Sequence, residues 1–352
     1  MSQYTIMAQS ARLKLDANEH PYGVAKNLRG EMARRLAAVD PSRYPDDSCS
    51  AVRDLLGDYL GVSSAGIIVG SGSNEVMLAI AAAHREDVAR VVIPRPTFGM
   101  YRAVAANLGL PVVEIATDDT FRLDPDELAR AIRGQSALVF LCMPNNPTGA
   151  YFAQEVVDAA LNAGPLALVI DEAYGEFGGR SYLELVSDDP RVVVLRTLSK
   201  AFGLAGVRVG YCVAHPDAAG LIDAARAPYN VGIYSQVAAR VVLENRTDQL
   251  ASVEPVLRWR ERVYSGLDAV AGIIPYPSDA SFVLFRVERE KFGMSAESLW
   301  RALLAEGISI RRFDSAPELD DYLRVSVGLP GENEEFLKTV ERLGARSDAR
   351  LR

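Results

Sequence analysis

The segment Arg196-Thr-Leu-Ser-Lys-Ala-Phe-Gly-Leu-Ala-Gly-Val-Arg208 carries the side chain best placed for chemistry in this 352-residue chain. Lys200 follows closely on the apolar run Val192–Leu195, which reads as a buried strand. A lysine at a strand end, flanked by hydroxyls and small residues, is poorly suited to a solvated face. Burial lowers the pKa of an amine, and a neutral amine can form a Schiff base with a carbonyl. Beside it, Thr197, Ser199 and Arg208 supply two hydroxyls and a guanidinium fork, a set suited to a phosphate. Lysine is scarce here, with five against 33 arginines. That imbalance reads as genome composition. Lys200 nevertheless stands where arginine could not substitute, because a guanidinium stays protonated.

Three other segments lie at the ends of apolar runs. Leu166–Ile170 leads into Asp171-Glu172-Ala173-Tyr174, and Leu138–Cys142 leads towards Pro144-Asn145-Asn146-Pro147-Thr148-Gly149. Ile67–Gly70 leads into Ser71-Gly72-Ser73-Asn74-Glu75, a Gly/Ser turn that opens a helix. Such a turn presents free N–H groups and the positive end of a helix dipole to an anion. In open α/β sheets, ligands collect beyond the carboxyl ends of the strands. An aspartate, a tyrosine, an asparagine and a lysine at such ends can converge on one ligand.

The elements that must hold these residues follow from the hydrophobic pattern. Val91–Pro94, Val112–Ile115 and Val209–Val213 complete a set of seven runs rich in Val, Ile and Leu, without alternation. Continuous apolarity is expected of strands covered on both faces. Helical patterns such as Asn74–His84 and Leu128–Ile132 lie between them, the latter opened by Asp124-Pro125, a cap and a first-turn proline. Alternating strands and helices predict a doubly wound α/β domain. After about residue 245 the pattern changes. A long helical stretch, 250–267, leads to strands at Phe282–Val287, Ile308–Arg311 and Tyr322–Val327, with helices near 295–306 and 332–343. The expected division is an N-terminal arm and active-site strand at 1–25, a large domain at 26–245 and a small α+β domain at 246–352.

Composition excludes several classes. The formal net charge is −8, so a uniformly basic nucleic-acid surface is not expected. No run of 18 apolar residues suggests a membrane span, and the N-terminus has no apolar signal core. Cys49, Cys142 and Cys212 form no disulfide framework or zinc spacing. His20, His84 and His215 show no metal-motif spacing. The expectation is a cytoplasmic protein without a structural metal.

The Ser199-Lys200-x-Phe-Gly-x-x-Gly-x-Arg208 stretch and the Asn146-Pro147-Thr148-Gly149 stretch together resemble fold-type I aminotransferases, over nearly the whole chain. The resemblance implies a mainly parallel seven-stranded sheet between helices, a smaller α+β domain, and pyridoxal 5′-phosphate as cofactor. It implies that Lys200 carries the cofactor as a Schiff base. Asp171 pairs with the pyridine nitrogen and makes the ring an electron sink. Tyr174 and Asn146 hydrogen-bond the ring 3′-oxygen. Ser73, Asn74 and Glu75 (largely through backbone N–H groups), with Thr197, Ser199 and Arg208, hold the phosphate. Phe98, in Pro96-Thr-Phe-Gly-Met-Tyr101, stacks on the ring. Glu172, Gly203, Gly206 and Gly210 read as structural.

Further stretches narrow the resemblance to histidinol-phosphate aminotransferases. Asp16-Ala-Asn-Glu-His-Pro-Tyr-Gly23 looks like that family's N-terminal active-site strand, and Arg43-Tyr-Pro-Asp46 like its tyrosine-bearing loop. Pro228-Tyr-Asn-Val231, Pro277-Ser-Asp-Ala-Ser-Phe282, Gly307-Ile-Ser-Ile-Arg-Arg-Phe-Asp314 and Tyr322-Leu-Arg-Val-Ser-Val-Gly328 also match. This implies a homodimer in which Tyr44 reaches the neighbouring subunit's cofactor phosphate. Tyr22, Asn146, Arg311 and Arg324 become substrate contacts, the arginines gripping carboxylate or phosphate. The implied reaction converts L-histidinol phosphate and 2-oxoglutarate to imidazole acetol phosphate and L-glutamate, in histidine biosynthesis. The sequence departs from the family at His20, Met143 and Leu329, and in a short N-terminal arm. Alternatives are an aminotransferase for aromatic or specialised amino acids and a pyridoxal-phosphate decarboxylase of a phosphorylated amino acid. A regulator with this fold would need a DNA-binding domain, for which there is no room before Asp16.

Overall fold

Most of the apolar runs become strands buried along their whole length, because helices cover both faces of the sheet they form. The computed structural model describes residues 11–314 and 316–351. In chain order the strands are β1 (Leu13–Leu15), β2 (Ile67–Gly70), β3 (Arg90–Arg95), β4 (Val112–Ala116), β5 (Ala137–Cys142) and β6 (Ala167–Asp171). They continue as β7 (Val192–Thr197), β8 (Gly210–Ala214), β9 (Ile273–Pro275), β10 (Phe282–Val287), β11 (Ile308–Arg312) and β12 (Tyr322–Ser326). Seven of them form one sheet in the order β2-β8-β7-β6-β5-β3-β4. β8 alone runs antiparallel to its neighbours in this sheet.

Successive residues of the central strands enter opposite cores, as the two-residue period of a strand requires. Val139, Leu141, Leu168, Ile170 and Val194 join the core beneath one face. Leu138, Phe140, Val169, Val193 and Leu195 join the core beneath the other. The second core is closed by the helix Ser73–Ala83, through Val76, Met77 and Ile80. β4 lies at the sheet edge and is only half-buried, which fits its polar interruption at Glu114. The helix Pro125–Ile132 starts at the expected signal: Asp124 accepts from the backbone N–H groups of Asp126 (2.8 Å) and Glu127 (3.2 Å).

The second sheet has the order β1-β11-β12-β10-β9. It packs on the helices Val253–Asp268 and Ala296–Ala305 and on the C-terminal helix Pro330–Leu351. Three details differ from expectation. The N-terminal strand is Leu13–Leu15, paired parallel with β11, whereas 16–23 is an irregular strap with Asn18 at φ 52° and Gly23 at φ 59°. The stretch 250–267 is broken at residues 251 and 252, and a new helix starts at Val253. Pro255 requires this, since proline has no N–H for a helix interior but fits a first turn. β9 escaped the sequence reading because it is three residues long and contains proline, which sheets tolerate at an edge. The first ten residues of the expected N-terminal arm lie outside the described residues.

Candidate active site

Lys200 lies just beyond the end of β7, and the strap 16–18 crosses directly over it. Its Nζ donates to the carbonyls of Ala17 (3.0 Å) and Asn18 (3.1 Å) and sits 5.8 Å from the centre of the Tyr174 ring. Burial, reinforced by the Arg324 and Arg208 charges, brings its pKa down to about 8. The amine is thus held by neutral acceptors, which leave it easy to deprotonate.

Asp171 closes β6 and is 2 % exposed. Its Oδ2 accepts from the Tyr101 hydroxyl (2.7 Å) and its Oδ1 from the Ala173 N–H (3.0 Å). Burial outweighs these bonds and pushes its pKa up to about 6. Tyr101 is itself fixed, stacked on Phe140 at 4.9 Å and edge-on to Phe98 at 5.7 Å. The next residue, Glu172, points the other way. It pairs with the buried Arg196 (2.6 Å) and accepts from the Tyr182 N–H (2.6 Å), a structural role that pins the turn.

The phosphate-type residues gather where β2, β7 and β8 end or begin. Arg208 Nη1 reaches Ser199 Oγ (3.4 Å), and Thr197 Oγ1 accepts from the Ser199 N–H (3.1 Å). Gly72, at φ 84°, caps the helix Ser73–Ala83, and a Cβ there would strike the Arg208 guanidinium. A Cβ at Gly210 would strike the Ser73 backbone. Only glycines let the guanidinium and the helix start come this close. Glu75 behaves differently from Ser73 and Asn74. Its amide donates to Gly72 O (3.2 Å) and its carboxylate accepts from the Ser71 N–H and from Asn230 (2.9 Å). Its amide is therefore engaged within the turn.

The loops after β3 and β5 meet at the point where the strand order reverses. Asn145 donates to Pro96 O (3.1 Å) and accepts from Thr97 Oγ1 (2.8 Å). That bracing fixes its neighbour Asn146, whose Oδ1 accepts from Arg324 Nη1. Arg324 is buried on β12, donates to Asp16 O (2.8 Å) and lies 5.0 Å over the Phe282 ring. Arg311 on β11 stands opposite it in register. Lysine, acid and guanidinium cup thus lie at strand ends of the large sheet, and Arg324 of the second sheet, with Arg311 opposite it in register, reaches them through Asn146.

The family model described as "Aminotransferase class I and II" matches residues 11–340. The chain belongs to that family. It is similar to the histidinol-phosphate aminotransferase of Roseiflexus castenholzii, at 39% identity over 94% of this chain and 89% of that one. It is 34% identical to that of Thermococcus gammatolerans, over 97% of this chain and 94% of the relative. Among solved structures, the histidinol-phosphate aminotransferase of Sinorhizobium meliloti in complex with pyridoxal-5′-phosphate superposes with a TM-score of 0.85 at 26% identity, covering 96% of this chain and 92% of that one.

In this aminotransferase the remaining sequence-selected residues fall into two groups. Phe98 and Tyr174 lie with the site: Phe98 edge-on to Tyr101, and Tyr174 accepting from Asn18 Nδ2 (2.8 Å). Tyr44 lies on the surface, 80% exposed and stacked on Tyr229 at 4.6 Å. Tyr22 is half-buried, packed on the large core and 6.0 Å from the His20 ring. His20 is buried, accepts from the Tyr22 N–H (3.3 Å) and meets Ser252 Oγ (3.2 Å). Burial holds its pKa down to about 4, so it is a neutral packing residue at physiological pH. Met143 lies in the core, and the Leu329 N–H donates to Glu332 (2.7 Å) at the start of the last helix.

Sequence reasoning singled out neither Tyr101 nor Asn18. Tyr101 sits three residues after Phe98, a spacing that places both on one face of a turn. Asn18 lay inside the Asp16–Gly23 stretch, but nothing local predicted its contacts with residues 156 and 308 positions away. Among the described residues no cluster of His, Cys, Asp and Glu could hold a metal, and no helix is long and apolar enough to cross a membrane.

Proposed function

We propose that this aminotransferase uses pyridoxal 5′-phosphate to exchange the amino group of L-histidinol phosphate with 2-oxoglutarate. The observation that carries the reading is the arginine pair, Arg311 and Arg324, in register beside a lysine of lowered pKa. Both substrates are anions, and paired guanidinium groups suit carboxylate and phosphate alike. The relatives named for this reaction, alike over nearly their whole length, support the choice of donor.

The residues fit the cofactor. Asp171 is a buried acid without a cationic partner among its hydrogen bonds, as a ring nitrogen would require. Gly72 and Gly210 let the Arg208 guanidinium and the Ser73 turn come together, so that a cation and a helix start can face one phosphate. Lys200 would hold the aldehyde carbon, Tyr174 and Asn146 the 3′-oxygen, and Phe98 the ring face. When bound, the cofactor supplies the electron sink for the bond broken at the substrate α-carbon. Lys200 Nζ, when free, would take the α-proton as base and return a proton as acid. At pH 7 an amine with a pKa near 8 is neutral roughly a tenth of the time, enough for a base that must also be a good acid. Arg324, steadied by Asn146 and Asp16 O, orients the anion so that the α-carbon faces Lys200. Arg311 adds the second guanidinium.

A homodimer, a cytoplasmic location and a division near residue 245 belong to the same proposal. Exposed Tyr44 and Tyr229 support the dimer, since stacked aromatics on a surface gain from a covering partner. The test is a substrate panel on purified, cofactor-loaded protein. Glutamate formation from histidinol phosphate and 2-oxoglutarate, well above that from phenylalanine or tyrosine, is the expected result. Preference for the aromatic amino acids, or carbon dioxide release without a keto acid, would overturn the choice of substrate.

A further inference from the structure

Asn18 is the most connected polar residue of the strap, and no role in the reaction falls to it from the site as described. It is 2% exposed and adopts φ 52°, a left-handed conformation that asparagine tolerates better than most residues. Its N–H donates to Ser326 Oγ (2.9 Å), and the Ser326 hydroxyl donates back to Asn18 Oδ1 (2.9 Å). Its Nδ2 donates to the Tyr174 hydroxyl oxygen (2.8 Å), and its carbonyl accepts from Lys200 Nζ (3.1 Å).

These contacts fix the side chain's orientation. A serine hydroxyl has one proton. The Ser326 Oγ accepts from the Asn18 backbone N–H and gives its proton to Asn18 Oδ1. The amide nitrogen then faces the Tyr174 hydroxyl. A phenol that accepts from an N–H keeps its own proton to donate elsewhere, and donation into its lone pair strengthens that second bond. Ser326 closes β12 in one sheet, while Tyr174 follows β6 in the other. The orientation of the tyrosine is thus set from the opposite side of the cleft.

We propose that Asn18 is a positioning residue that holds Tyr174 as a hydrogen-bond donor towards the cofactor's 3′-oxygen. This rests on the pyridoxal-phosphate reading above. A donor at that oxygen favours loss of the proton shared there, so weakening the donor raises the pH at which the bound cofactor's visible band changes. Asn18→Ala removes the amide. Asn18→Asp replaces Nδ2 with an acceptor, which turns the Tyr174 proton towards itself.

The experiment is a pH titration of the visible band of cofactor-loaded protein, made in the wild-type and Tyr174→Phe backgrounds, with thermal melting of each variant. Asn18→Ala is expected to raise the midpoint by about half a pH unit, the scale of one neutral hydrogen bond. Asn18→Asp, whose charge also acts on that proton directly, is expected to raise it further, and the Asn18→Ala change should not move the midpoint in the Tyr174→Phe background. An equal shift in both backgrounds, or lowered melting with an unmoved midpoint, would overturn the assignment. If Asn18→Ala does not fold, the neutral Asn18→Ser decides by the same comparison. Wild-type protein that forms no band with pyridoxal phosphate would overturn the cofactor reading and this inference with it. A wild-type band with unmoved variants overturns this inference alone.

Discussion

Arg311 and Arg324 stand directly opposite each other in the antiparallel pairing of β11 and β12. Like charges in that position oppose each other across one face of the sheet. Arg324 is buried and anchored to Asn146 and Asp16 O, while Arg311 is half-buried. An anion placed between them turns the repulsion into a two-sided grip. Arg311→Ala should therefore raise KM for the anionic substrates about 10- to 100-fold, with a smaller effect on kcat. Steady-state kinetics check this. Unchanged KM for every anionic substrate would refute the grip.

Lys200→Ala should reduce transamination about 10⁴-fold, the upper range for loss of an acid–base group, and abolish the covalent cofactor band. The fold should survive, because the amine satisfies only two carbonyls of the strap. Single-turnover absorbance is the direct measurement.

Asp171→Asn separates stability from function. An acid whose folded pKa is raised binds its proton more tightly folded than unfolded. Its unfavourable contribution therefore grows as pH rises from about 3.8 through 6, to about 3 kcal/mol. The amide keeps a partner for Tyr101 without the charge. Cofactor-free Asp171→Asn should accordingly be more stable than wild type at pH 7 and about as stable at pH 3.5. With cofactor its turnover should fall about 10²- to 10³-fold. Denaturant curves at the two pH values test the first part.

His20 has the opposite sign on the acid side. A histidine whose folded pKa is lowered to about 4 binds its proton less readily folded than unfolded. Its favourable contribution is complete above the unfolded value near 6.5 and is lost as pH falls towards 4, up to about 3 kcal/mol. His20→Gln, which can still meet Ser252, should flatten stability across that window. The difference between the wild-type and variant pH–stability curves isolates the effect. Parallel curves would contradict it.

Gly72→Ala puts a methyl group against the Arg208 guanidinium at a left-handed backbone position. Cofactor affinity should drop at least about tenfold, with the fold retained. Equilibrium binding of pyridoxal phosphate reads this directly.

The order of seven buried strands, the helix opened by Asp124-Pro125 and the location of Lys200, Asp171 and Asn146 at strand ends all follow from local pattern. Continuous Val/Ile/Leu runs leave few other ways to bury themselves, and a strand end fixes where the next few side chains emerge. Short-range signals failed where a partner far away decides. The strand Leu13–Leu15 exists because β11 lies beside it. The register of Arg311 with Arg324 depends on how β11 and β12 pair, which neither segment specifies alone. Tyr101 became the partner of Asp171 from 70 positions away in the chain. The chemistry of each side chain was thus legible in the amino-acid order. Only the tertiary structure decided which of them come together, and burial there moves the lysine and the aspartate away from their ordinary pKa values.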